Sequence, residues 1–200
     1  EEALELGLVP TLSTLEAAEA LSQRARALGL VPRAHLKVDT GMHRVGAAPE
    51  EAVALAQSIV GEPDLELEAV WTHCAVADEP EHPFTAEQLA RFDDVLAALS
   101  VSGIEVPLTH AANSAGAIAH PAARRSLVRT GIAIYGIDPS RELAGALPLR
   151  PALRLRSEVA LVKRVAAGEG ISYGLHHTFD RPATVATVPI GYADGVRRRL

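Results

Sequence analysis

The stretch LKVDTGMHRVG, residues 36–46, decides how the rest of the chain is read. It starts inside an apolar run, Ala34–Asp39, that reads as a β-strand, and it ends by crowding Lys37, Asp39, His43 and Arg44 around two glycines. A strand closing on a polar cluster recurs along the chain. Thr11-Leu12-Ser13 ends the run Leu8–Leu12, and Thr72-His73 ends Leu65–Thr72. His110, with Asn113-Ser114 just beyond it, ends Pro107–His110, and Arg129-Thr130-Gly131 lies in a fifth strand, Leu127–Tyr135. Between strands the apolar residues change to helical spacing. Thr14–Leu28 repeats Leu15, Ala18, Leu21, Ala25 and Leu28 before Gly29; Pro49–Val60 is closed by Gly61. Thr85–Leu99 stops near Gly103, and Ser114–His120 stops at Pro121.

This β-then-α order predicts a parallel sheet covered by helices, either an open doubly wound sheet or a (β/α)8 barrel. Polar side chains at the carboxyl end of every strand favour the barrel, whose site occupies one rim. The absence of a GxGxxG fingerprint lowers the dinucleotide-binding alternative. The expected fold is α/β, a partial (β/α)8 barrel. Five β/α units fall within residues 1–148, whereas a whole barrel takes roughly 250 residues, so about three more units are expected upstream. From Pro148–Pro151 onward the helical spacing disappears. Leu153–Val165 alternates and turns β-rich, Gly168-Glu169-Gly170 makes a turn, and Ile171–Tyr173 and the Thr/Val-rich Ala183–Ile190 read as further strands. Residues 149–200 are therefore expected to begin a separate β-domain.

Composition narrows the function classes. Apolar residues make up 48% of the 200, enough for a real core and too many for disorder. One cysteine, Cys74, cannot pair internally, which suits a reducing, cytoplasmic setting. A net charge of -6 argues against nucleic-acid binding. No apolar run approaches the ~20 residues of a membrane span, and no signal-peptide pattern opens the chain. The only methionine is Met42, and the chain runs from Glu1-Glu2 to Arg197-Arg198-Arg199-Leu200; it is expected to be an internal piece of a longer protein. Lysine chemistry has two candidates, Lys37 and Lys163.

Several positions carry both a structural and a chemical reading. Lys37 points from a parallel strand into a crowded interior, where a bare ammonium is costly without a partner. It either pairs structurally with Asp39 or, itself or in modified form, holds Arg44, whose planar fork grips anions. Asn113 and Ser114 precede a short helix and suit capping; the alternative is a phosphate at the helix N-terminus. Arg129-Thr130-Gly131-Ile132 is a second phosphate candidate, since barrels often bind phosphate after their last strands. His73 falls on the functional rim. Tyr173, in Ile171-Ser172-Tyr173-Gly174, and Tyr192, in Ile190–Gly195, follow turns that would expose a hydroxyl, or else pack as ordinary β-domain tyrosines. His176-His177 and the terminal arginines read as solvated surface, and no Cys/His metal spacing, GxSxG or Walker loop occurs.

Six segments in order, LKVDTGMHRVG (36–46), THCAVADE (72–79), HAANSAGA (110–117), VRTGIAIYG (128–136), ISYG (171–174) and PIGYADG (189–195), resemble the alanine racemase family over essentially the whole chain. The resemblance implies a (β/α)8 barrel followed by a β-domain, pyridoxal 5′-phosphate as cofactor, alanine as substrate, D-alanine for cell-wall peptidoglycan as product, and a head-to-tail homodimer. By the same resemblance Lys37 is the lysine often carried as a carbamate that orients Arg44. Arg44 faces the cofactor phenolate and the substrate carboxylate. His73 links Arg129 to the catalytic tyrosine, and Arg129 bonds the pyridine nitrogen. Asn113, Ser114, Gly131 and Ile132 form the cofactor pocket, with Ser114 and the Gly131-Ile132 backbone on the phosphate. Tyr173 is the catalytic tyrosine, serving the partner subunit's site, and Tyr192 stands near the substrate entrance.

The departures matter too. The family's cofactor-bearing lysine lies in a first-strand motif resembling VKADAYGHG, which these residues lack; neither Lys37 nor Lys163 fits it. His43 stands where glycine is usual and Cys74 where phenylalanine is common. The chain alone is therefore expected to be inactive. Racemisation needs two bases flanking the α-carbon, and a tyrosine, with an unperturbed pKa of about 10, needs nearby positive charge to serve as one. Barrel-type decarboxylases place an acid at the pyridine nitrogen, against which Arg129 speaks. A racemase of other or broader specificity, such as serine, and a non-catalytic cofactor-binding barrel are the remaining alternatives; the β-domain speaks against the last.

Overall fold

Four short strands, β1 (Thr11–Leu12), β2 (Arg33–Lys37), β3 (Glu66–Trp71) and β4 (Leu108–His110), lie side by side in chain order, every neighbouring pair parallel. They belong to a computed structural model that describes residues 2–197. A short helix, α1 (Glu2–Glu5), precedes β1; α2 (Leu15–Leu28), α3 (Ala52–Gly61), α4 (Phe84–Val101) and α5 (Ser114–Ala119) follow the successive strands. Local signals set these helices. Thr14 sits extended ahead of α2 and its Oγ1 accepts the Ala17 N–H at 3.2 Å. Gly29, at φ 67°, closes the helix by donating to the Ala25 and Arg26 carbonyls.

The two faces of the sheet differ. Leu12, Ala34, Leu36, Leu67 and Val70 are buried against Ala18, Leu55, Ile59, Phe92 and Leu99 of the helices. The alternate residues His35, Lys37, Glu68, Trp71 and His110 meet one another on the other face. A bulge between Ala34 and His35 makes this possible. Ala34 pairs with Leu67 but His35 with Ala69, so Glu68 is the extra residue. It reaches both Arg33 and His35.

The chain divides into two compact units, Glu1–Ala152 and Leu153–Leu200. The Ala152 N–H donates to the Tyr135 carbonyl at 3.0 Å, which ties the Pro148–Pro151 stretch to the first unit. In the second, β5 (Leu161–Val165) pairs antiparallel with β8 (Ala183–Thr187), and β6 (Gly170–Ile171) with β7 (His177–Thr178).

Four expectations are corrected. The helix expected over Pro49–Val60 opens as a 3₁₀ turn, Pro49–Glu51, before α3. No fifth strand forms at Leu127–Tyr135. Ser126 and Arg129 donate backbone bonds to Thr109 and Ala112, but the Gly131 N–H turns to the Ser114 hydroxyl and Ile132–Tyr135 winds into a 3₁₀ turn. A side-chain acceptor has displaced the ladder. In the second unit the strand expected from Leu153 begins only at Leu161, and the one expected at Ile171–Tyr173 ends at Ile171, because Ser172 takes φ 63° and leaves the extended region. Arg198 and Arg199 lie outside the described residues, while Arg197 is exposed as expected.

Candidate active site

The ends of β2, β3 and β4 converge on one rim. After β3, the run Thr72–Ala75 is pinned at every step. Thr72 donates its N–H to the His110 carbonyl at 3.1 Å. Its own carbonyl accepts from Arg129 at 2.8 Å, the His73 carbonyl from Gln88 at 3.1 Å and the Cys74 carbonyl from Asn113 at 3.2 Å. After β2, the loop from Asp39 returns to lie beside its own strand, with Ala47 donating to the Lys37 carbonyl and Asp39 to that of Ala47, both at 2.8 Å. Gly46 makes the return possible: at φ 138°, a Cβ there would meet the Asp39 nitrogen at 2.7 Å.

The expected pairing of Lys37 with Asp39 does not form. The Asp39 carboxylate accepts the N–H groups of Gly41 (2.9 Å) and His43 (3.0 Å) rather than the lysine. Burial opposes its ionisation, but these backbone donors outweigh it and hold its pKa below the ordinary value. Lys37 is buried, its Nζ 4.7 Å from the Trp71 ring centroid. Burial, then the charge of Arg44, pushes its pKa down, only partly offset by Asp39.

Arg129 occupies the centre. Its guanidinium lies over Trp71, 4.4 Å from the ring centroid, with one terminal nitrogen on His110 Nδ1 and the other 3.2 Å from His73 Nδ1. Arginine only donates, so both Nδ1 atoms are acceptors and both rings are neutral. Burial, then Arg129 itself, lowers the pKa of each histidine to about 4. The tautomers propagate outward. The remaining proton of His110 is on Nε2, which faces His35 Nδ1 at 3.4 Å, and His35 Nε2 faces the Glu68 carboxylate at 2.9 Å. The interior face thus carries a line of groups from an anion, through two imidazoles, to the central cation.

Beside Arg129 lies a cleft of about 340 Å³ lined by His73, Asp78, Asn113, Ser114, Arg129, Gly131 and Ile132, together with Ala115 and Pro139. Asn113 does cap α5, its Oδ1 accepting the Gly116 N–H at 2.8 Å, while its amide holds the Cys74 carbonyl. Ser114 does not cap; its hydroxyl gathers the N–H groups of Gly131 (2.8 Å) and Ala133 (3.3 Å). A hydroxyl, a glycine backbone and a guanidinium on one small cleft suit an anion joined to a flat ring that accepts a hydrogen bond. Pyridoxal 5′-phosphate has this chemistry, so the residues present fit it. Neither lysine lines the cleft.

Tyr173 and Tyr192 belong to the second unit and are 79% and 67% exposed there. Tyr173 opens a 3₁₀ turn between Ser172, at φ 63°, and Gly174, at φ 75°. Sequence reasoning gave no role to His35, Glu68, Trp71 or His110, nor to Thr40, Thr72 and Gln88. His35 alternates with Lys37 on β2, but Glu68 and Trp71 are three apart on β3, so the period of two broke there; Gln88 was one more polar residue on an amphipathic helix. Among the described residues no cluster suited to a metal ion occurs, and no helix is long and apolar enough to cross a membrane.

Comparison with known proteins gives a consistent result. Family models match at residues 1–139 and 152–200, the first described as the alanine racemase N-terminal domain and the second as its C-terminal domain. The alanine racemase of Symbiobacterium thermophilum is 44% identical over 200 residues, covering 100% of this chain and 53% of that protein. That of Desulfovibrio desulfuricans is 42% identical over 194 residues, covering 96% and 52%. Among solved structures, alanine racemase from a D-cycloserine-producing Streptomyces lavendulae superposes with a TM-score of 0.91 at 40% identity, covering 98% of this chain and 53% of that one. The enzyme from Streptomyces coelicolor gives 0.89 at 39%, with 98% and 53% covered. The chain spans about half the length of the curated relatives it matches.

Proposed function

Because the chain belongs to the alanine racemase family, we propose that the protein interconverts L- and D-alanine with pyridoxal 5′-phosphate, in a homodimer, in the cytoplasm, supplying D-alanine to cell-wall peptidoglycan. Residues 1–148 act as the cofactor-binding part of the barrel and residues 149–200 as the start of the β-domain. The observation that carries the reading is Arg129, a permanent cation held on one cleft with Ser114, Gly131 and Ile132. Asn113 fixes that wall by bonding both α5 and the β3 rim.

When bound, the cofactor takes up the charge left at the α-carbon as its proton departs. The chain's own residues do the rest. Arg129 donates to the ring nitrogen and, unlike an acid, cannot protonate it, which restrains transamination and decarboxylation. Ser114 and the Gly131-Ile132 backbone take the phosphate. Arg44 binds the substrate carboxylate. Tyr173 of the partner subunit moves the α-proton on one face, with Arg129 supplying the positive charge that favours its phenolate and the neutral His73 ring linking the two. Tyr192 stands at the entrance.

Lys37 is carbamylated in this reading. Its depressed pKa leaves neutral amine to attack carbon dioxide, forming an N–C bond and releasing a proton, and the anion produced stands near Arg44 and Arg129. The test of the whole reading is Arg129→Glu in the full-length enzyme. Racemisation should fall steeply and transfer of the amino group to the cofactor should become measurable. An unchanged ratio of the two reactions would overturn the role of Arg129.

A further inference from the structure

Helix α4 supplies a side chain that nothing above has assigned. Gln88 is completely buried, yet it lies under the rim rather than in the apolar core. Its amide makes three bonds to two different strand ends. Oε1 accepts the Ala75 N–H at 2.8 Å, and Nε2 donates to the His73 carbonyl at 3.1 Å and to Thr40 Oγ1 at 3.3 Å. The orientation is unique, because turning the amide over would set a donor against the Ala75 N–H and an acceptor against the His73 carbonyl. Thr40 Oγ1, which accepts from Gln88, also shares a hydrogen bond with Thr72 Oγ1, 2.7 Å away. The neighbouring turns of α4 grip the same loop. Arg91 donates to the Thr40 carbonyl at 3.0 Å and lies over Phe84, and a Cβ on Gly41 would strike Phe84.

We propose that Gln88 is a positioning residue for the reaction, fixing the rim segment that carries His73 against the rim segment that carries Arg44. An amide suits this because it combines an acceptor with two donors at the end of a short stem. Leucine fills similar space and satisfies none of the three groups. Glutamate keeps the acceptor; protonated, it regains one donor, and ionised, it repels the His73 carbonyl. The proposal rests on reading His73 and Arg44 as parts of the reacting site.

The test uses the full-length enzyme with Gln88→Leu and Gln88→Glu. In the cofactor-free protein, the imidazole resonance of His73, assigned through His73→Asn, should shift in both variants, and its titration should move up from the depressed wild-type position as the loop opens to water. In the loaded enzyme kcat should fall about 10- to 100-fold, the scale of a misplacement near 1 Å, with KM for alanine within about twofold. The deficit of Gln88→Glu should shrink as pH is lowered from 9 to 6, because burial favours its protonated form, while that of Gln88→Leu stays flat. If Gln88→Leu fails to fold, the pH-dependent rescue of Gln88→Glu decides alone. An unmoved His73 resonance, or a Gln88→Glu deficit that ignores pH, overturns the positioning role by itself. A shifted resonance with unchanged kcat instead overturns the placing of His73 in the reacting site, and the proposal with it.

Discussion

The two units of this chain hold their candidate residues in opposite ways. In the first, His73, Asn113, Ser114 and Arg129 are hydrogen-bonded to backbone or to each other, Lys37 lies against the Trp71 ring, and Lys37 and Ser114 are buried. In the second, no described residue is buried, and Tyr173 and Tyr192 stand on turns with most of their surface open. A group whose pKa and direction must be fixed needs a dry, fully bonded setting. A group that must meet a site from outside needs only a rigid turn to present it. In the proposed function, the first unit sets the electrostatics and the second carries the Tyr173 hydroxyl on an exposed turn.

The strongest way to break this division is Tyr173→Phe in the full-length dimer. Removing an exposed hydroxyl should leave folding and cofactor binding intact, yet racemisation should drop by about 10²–10⁴-fold, the usual range for losing a general base. With two bases on opposite faces and, in the proposed reaction, the tyrosine acting on L-alanine, the variant should still exchange the α-proton of D-alanine with solvent deuterium. A hybrid dimer pairing this subunit with one lacking the cofactor-bearing lysine should recover up to half of wild-type activity, one site being intact. An inactive hybrid would break the shared-site reading.

Lys37 should show a smaller loss of a different kind. Lys37→Ala should lose roughly tenfold or more in activity, since Arg44 loses the anion that orients it. Small carboxylates should restore part of that loss. Intact-protein mass measured with bicarbonate present should show one carbon dioxide added to the wild type and none to the variant. A wild-type mass with no carbon dioxide added would leave Lys37 as a plain amine over Trp71.

Stability against pH separates the units without any substitution. His73 and His110 titrate near 4 in the folded first unit, against an ordinary value of 6.5. Between those values the unfolded chain binds protons that the folded chain does not, so unfolding becomes easier as pH falls. The contribution is present in full above about pH 6.5, is lost progressively toward 4, and is flat below. Thermal melts of the full-length protein from pH 7 to 4 should record the fall, and Glu68→Gln should alter it by removing the anion at the far end of the imidazole line. A melting temperature constant over that range would mean the histidines are not held neutral.

Much of this was legible in the sequence for a physical reason. Alternation of strand and helix is written in apolar spacing, so the parallel order of β1 to β4 and their helices could be read from Leu12, Leu36, Val70 and their partners. Rim residues stood out because a charged group at a strand end is costly unless used. The interior line was harder to see, because its geometry depends on a one-residue bulge that swings Glu68 onto the face of His35. The failure at Leu127–Tyr135 has the same origin: apolar spacing promised a strand, and one serine hydroxyl seventeen residues earlier captured the N–H that the strand required. Tertiary hydrogen bonds of this kind leave no periodic signature.

The smallest expected effect compares two helix caps. Thr14 caps α2 with one bond, on a loop far from the cleft in chain and function. Asn113 caps α5 with one bond and uses its amide for a second, to the Cys74 carbonyl beside His73. Loss of a cap typically costs about 1 kcal/mol, so Thr14→Ala and Asn113→Ala should both lower stability by roughly that amount. Only Asn113→Ala should also weaken cofactor retention, because the wall of the cleft then loses its tie to the β3 rim. Asn113→Asp refines the comparison. It keeps the acceptor for Gly116 and so should restore the cap, but it has no donor for Cys74 and should leave the retention defect in place. Denaturant unfolding read alongside cofactor titration of each full-length variant makes the measurement. Equal retention in Thr14→Ala and Asn113→Ala would reduce Asn113 to a cap like any other.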